Sequence, residues 1–230
     1  TAATSDRAAD VIFLKNYLST KVGPGVESGM CSARAYCAVL FRIGCEPILI
    51  ADDPDVRSEV VSVSDFRVAS DPVVTLVDTL ENFRISGEVG FVGSDFFPMK
   101  YWNELEKTTP NITWKVCDDL VRCGRMIKSR EEQEVIRIAR QIASPAMTHM
   151  IEALISGKTE AEAAGLAAHD IVSAGGIIDK IQVSHGKTIG FTCGDPLAGY
   201  RKVAPKIGDL FRAFLIGPMY QGYYLDPGRT

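Results

Sequence analysis

The chain has 230 residues, 46% of them hydrophobic and 23% charged, with a formal net charge of −4 and a pI near 5.5. These proportions belong to a globular protein of one large or two ordinary domains. The acidic balance leaves no electrostatic footprint for nucleic acid, and no apolar stretch approaches the roughly 18 residues of a membrane span.

Residues 1–124 predict strands alternating with helices. Val11–Leu14, Ala38–Ile43 and Pro47–Ile50 are apolar runs of strand length. Asp52-Asp53-Pro54-Asp55 predicts a turn. Val60–Val63 with Phe66–Val68 suggests another strand. Pro72–Phe83 places Val73, Leu76, Val77 and Leu80 at helical spacing. Glu88–Val92 predicts a strand, Pro98–Glu106 a helix and Ile112–Val116 a final strand. Such alternation argues an α/β layer around a central sheet.

Residues 125–230 open differently. Ser129-x-x-Glu132 and Thr159-x-x-Glu162 are capping boxes, in which two side chains reciprocally satisfy orphan N–H groups. Behind the first, Val135, Ile138, Ile142, Ala146, Met150 and Leu154 form one apolar stripe. The second helix runs through Ala163, Leu166, Ala167, Ile171 and Val172 to Gly175-Gly176. Strands are predicted at Ile177–Val183, Ile189–Cys193 and Leu210–Ile216. Helices followed by hairpins argue α+β. Cys31, Cys37, Cys45, Cys117, Cys123 and Cys193 show no zinc-type spacing, and reduced core thiols fit a cytoplasmic protein.

Phe211–Thr230 reads as two strands about a turn. It resembles the first catalytic hairpin of the creatinase, prolidase and aminopeptidase P family, the pita-bread hydrolases. Gly217, Tyr220, Gly222, Tyr223, Asp226, Arg229 and Thr230 stand in register with that motif. Leu215 stands where metal-dependent members carry the first metal-ligating Asp. Two divalent cations about 3.5–4 Å apart need bridging carboxylates, and Leu has no lone pair. The metal-independent creatinases are resembled further in Pro218-Met219, Gly222-Tyr223-Tyr224, Arg201-Lys202-Val203, Gly208-Asp209 and the stretch from Arg125 to Arg140.

The resemblance implies an α/β N-terminal creatinase-like domain over residues 1–124, followed by the first half of an α+β pita-bread domain over 125–230. It implies a creatinase-like hydrolase of a C–N bond in a small, carboxylate-bearing nitrogenous compound. It further implies a small-molecule substrate, no metal or other cofactor, and a homodimer. Two other readings stay open: an Xaa-Pro peptidase with a degenerate metal site, and a non-catalytic pita-bread protein that binds a partner. The creatinase histidine would fall near Leu197 and the hairpin glutamate near Gly228. The chain opens without Met and ends inside the hairpin, so it reads as a fragment whose remaining site residues lie beyond Thr230.

Five residues are the candidate site. His185, in the Gly-flanked loop Ser184-His185-Gly186-Lys187, is a candidate base. Asp226 is a candidate catalytic carboxylate, or a turn residue before Pro227-Gly228. The resemblance implies that Arg34 reaches the partner subunit's site and binds a substrate carboxylate, a role that suits a guanidinium fork. It also implies that Tyr224 lines the substrate, with Arg229 at the substrate side or in an ion pair beneath it. His149 and His169 fall on the two helices and read as surface or groove residues.

Overall fold

Two units divide the chain after Ile127, Thr1–Ile127 and Lys128–Thr230. A computed structural model describes residues 2–3, 9–15, 36–52, 58–95, 97–190 and 199–230.

In the first unit, β1 (Ala2–Ala3), β2 (Cys37–Leu40), β3 (Ile48–Ala51) and β4 (Asp65–Val68) form one sheet in that order. β2 and β3 run antiparallel, β3 and β4 parallel. β3 is buried at every position, as its unbroken apolar run demands of a central strand. Its Leu49 and Ala51 pack on one face with Val11, Cys37 and Val39. Ile48 and Ile50 pack on the other with Ala69. α2 (Pro72–Asn82) starts where Asp71 accepts hydrogen bonds from Val73 and Val74 N–H, with Pro72 in the first turn. β5 (Gly87–Phe91) and β6 (Ile112–Val116) pair in parallel across α3 (Met99–Thr108). Edge-to-face rings of Phe91, Trp102 and Trp114 hold this part together.

The structure departs from the sequence expectation at three places. Val11–Leu14 lies in a helix, α1 (Ala9–Lys15), not a strand. Short apolar runs fit either state, and Asp10 at its start pairs with Arg125 of α4 (Asp119–Met126), a helix the sequence did not announce. Val60 falls in a turn, and only Asp65–Val68 of that region is strand. Ile189 and Gly190 follow a 3₁₀ turn at Gly186–Thr188 rather than opening a strand.

In the second unit, α5 (Arg130–Ile155) and α6 (Glu160–Ser173) both begin with the expected capping boxes. β7 (Ile177–His185) and β8 (Phe211–Tyr220) form a long antiparallel pair, with His185 opposite Phe211 and Ile177 opposite Met219. β9 (Tyr223–Tyr224) and β10 (Gly228–Arg229) return along the other edge of β8. One apolar cluster joins Ala146, Met150 and Leu154 of α5 and Ala167 and Ile171 of α6 to Ile181, Val183, Ala213 and Leu215 of the sheet.

Candidate active site

Leu215 is 1% exposed and belongs to the helix-facing cluster. Its N–H donates to Pro227 O, and Gly217 N–H donates to Leu225 O. With Phe214 opposite Gly228, this ladder sets Asp226 opposite Ile216. Directly opposed residues share a face and successive residues alternate. Leu215 and the exposed Asp226 therefore stand on different faces.

The hairpin glutamate position is closed as well. A Cβ on Gly228 would lie 2.2 Å from Cε1 of Phe214, so the ring occupies the space of any side chain there. Among the described residues, no three His, Cys, Asp or Glu side chains group so as to hold a metal ion. The described residues thus do not fit a two-metal centre: one ligand position is apolar and buried, and the other faces away from it.

Tyr224 is 55% exposed, with its ring against Gly217. Burial, then the Asp179 carboxylate, hold its phenol above its ordinary pKa. Tyr223 donates its hydroxyl to Glu132 Oε1 at 2.7 Å. Arg229 Nη1 donates to Gly228 O at 2.6 Å. Arg34, Cys193 and Leu197 lie outside the described residues.

His185 ends β7 with 5% exposure, beside the N-terminus of α6. Its Nδ1 lies 2.6 Å from Oε1 of Glu160, a carboxylate that is fully buried. Arg201 grips the same carboxylate, with Nη2 2.6 Å from Oε1 and Nε 3.1 Å from Oε2. The Glu160 carboxylate raises the guanidinium pKa of Arg201 above its already high value. The backbone adds to this: Glu160 N–H donates to Val203 O and Ala161 N–H to Arg201 O, so two first-turn amides of α6 find partners. The carboxylate oxygens of Asp209 lie 3.2 Å from where a Cβ on the neighbouring Gly186 would sit.

His185 and Asp226 are not brought together. Their partners on β8 are Phe211 and Ile216, about 17 Å apart along a strand at ~3.4 Å per residue. Sequence reasoning missed Glu160. The Thr159 capping box marks its position, but an acid in a first turn reads as an ordinary partner of the helix dipole. No local pattern shows that this one points inward.

The other two histidines share one acid. His149 Nδ1 lies 2.6 Å from Asp170 Oδ2, and His169 Nδ1 lies 3.2 Å from Oδ1. Burial pushes the Asp170 carboxyl up, but the hydrogen bonds to His149 and His169 outweigh it and the pKa is lowered. A depressed carboxylate contributes stability above its unfolded value and loses it as pH falls through its folded value. Replacing both histidines by Ala is expected to raise the Asp170 pKa in an NMR titration and to flatten the loss of stability below about pH 4. An unmoved Asp170 titration would count against the pairing.

No family model matches the sequence, and no curated protein matches it. Solved structures do match. The X-Pro aminopeptidase of Thermotoga maritima MSB8 is similar at a TM-score of 0.73 and 16% identity, over 99% of this chain and 60% of that one. A Bacillus anthracis Xaa-Pro dipeptidase is similar at 0.72 and 18%, over 97% and 57%. The prolidase of Pyrococcus horikoshii OT3 is similar at 0.69 and 22%, over 97% and 58%. The chain has the pita-bread fold of these peptidases. It spans about three-fifths of their length, at 60%, 57% and 58%. The part of that fold which this chain spans holds no group of three metal-ligating side chains among the described residues.

Proposed function

We propose that the chain forms part of a hydrolase of C–N bonds, of the kind cleaved by Xaa-Pro peptidases, whose hairpin metal site is degenerate. The observation that carries this reading is the peptidase fold, matched over 97–99% of the chain by three Xaa-Pro peptidases. His185 is assigned as the proton acceptor. It takes a proton from the attacking water and returns it to the leaving nitrogen as the C–N bond breaks. Asp226 lies too far along β8 to serve the same small substrate and is assigned to the turn before Pro227-Gly228. Tyr224 and Arg229 belong with that hairpin.

A second reading, creatinase-like cleavage without metal, is favoured by the burial of Leu215. The test is hydrolysis by the full-length protein of Xaa-Pro dipeptides and of small guanidino acids, each with chelator and with Mn²⁺. Dipeptide turnover supports the first reading. Chelator-resistant turnover of guanidino acids supports the second. No turnover of either class leaves a binding protein.

We further propose a homodimer in which Arg34 binds the substrate carboxylate at the partner subunit's site. Arg34→Ala is then expected to weaken carboxylate binding by roughly 1.5–3 kcal/mol, the range for hydrogen bonds to charged groups. Arg34→Lys should restore only part, because an ammonium lacks the fork. Calorimetry with proline, the product that keeps the carboxylate of an Xaa-Pro dipeptide, checks this, and unchanged affinity in Arg34→Ala would remove the role.

A further inference from the structure

We propose that Glu160 is a positioning residue, which holds His185 as the Nδ1–H tautomer so that Nε2 carries the lone pair that accepts the proton. The inference rests on the C–N hydrolase reading and names how its base is set. A carboxylate only accepts hydrogen bonds, so the 2.6 Å contact requires the proton on Nδ1. Arg201 Nη2 also lies 3.3 Å from Nδ1. Both are donors, and both aim at Oε1 of Glu160, so this approach is a shared acceptor rather than a bond to the ring. Nε2 has no hydrogen-bond partner among the described residues.

The arrangement is fixed from three directions. Glu160 opens α6, His185 closes β7, and Arg201 lies on the segment whose carbonyls receive the first amides of α6. Arg201 balances the buried carboxylate's charge, so Glu160 has its counter-ion without a proton from the imidazole. A carboxylate that orients a histidine and fixes its tautomer is the arrangement that makes the opposite nitrogen a base.

The test needs no substrate for its first arm. ¹⁵N NMR of imidazole-labelled chain is expected to show His185 with a protonated Nδ1 and an unprotonated Nε2. Glu160→Gln keeps the size but weakens the acceptor, and is expected to move His185 toward the Nε2–H form. Glu160→Ala should do so more completely if it folds. In the full-length protein, Glu160→Gln is expected to lower kcat on an Xaa-Pro dipeptide at least tenfold with KM little changed, and His185→Gln to lower it further. A wild-type His185 protonated on Nε2 overturns the proposal. So does the expected tautomer together with full turnover in His185→Gln. Absence of turnover of both Xaa-Pro dipeptides and guanidino acids in the wild type overturns the hydrolase reading, and the tautomer measurement then decides the hold of Glu160 on the ring.

Discussion

Leu215→Asp is expected to unfold the second unit rather than to rebuild a metal site. The side chain is 1% exposed and sits among α5, α6 and β7. Removing a buried Leu costs about 2–5 kcal/mol. A carboxylate in the same place adds several kcal/mol more, because no cation or donor replaces its water. The sum approaches the whole stability of a domain, about 5–15 kcal/mol. Nor does the new carboxylate meet Asp226, which the ladder places opposite Ile216 on the other face. Denaturant unfolding and elemental analysis check this together. A folded Leu215→Asp variant with stoichiometric Mn would show that the hairpin retains the two-metal geometry, and the burial argument would fall.

Gly217→Ala is the second large effect. Gly217 has φ of 69°, where an L-residue pays about 1–2 kcal/mol. Its Cβ would also lie 2.7 Å from Tyr224 Cε1 and 2.9 Å from Asp179 Cβ. Overpacking of that kind typically costs about 1–3 kcal/mol. The expected loss is therefore about 2–5 kcal/mol by equilibrium unfolding. A double-mutant cycle with Tyr224→Ala separates the two parts. The ring contact should vanish from the cycle, and the backbone part should persist. A loss below about 0.5 kcal/mol, the scale of an ordinary surface change, would mean that the strand relaxes around the new methyl.

Much of the fold was legible where one local rule decided it. The apolar run of β3 reads as a central strand because no polar residue interrupts it. The Ser129 and Thr159 boxes mark helix starts because the pairing is complete within four residues. The register of Gly217 through Thr230 with the hydrolase hairpin pointed to the fold that the solved structures share. Legibility failed where tertiary contact chose between local options. Val11–Leu14 suits strand or helix, and α1 forms with Asp10 paired to Arg125, far along the chain. Leu215 could be read as a core residue because its chemistry permits nothing else. Glu160 could not, since only the fold turns it toward His185 and Arg201. The distance between His185 and Asp226 was hidden for the same reason: both fit a site by residue type, and strand register alone separates them.

Glu132 joins two length scales of the chain. One oxygen closes the Ser129 cap three residues away, and the other accepts from Tyr223 across 91 residues. The cap belongs to the fast, local phase of folding, since a helix turn forms within about a microsecond. The Tyr223 contact waits on closure of a long loop and on β-pairing, which are slow steps. Until the hairpin docks, the first turn of α5 has only its local partner and frays accordingly. Amide exchange at the start of α5 therefore reports arrival of the hairpin, and a Tyr223→Phe chain should lose that late gain in protection while keeping the early one.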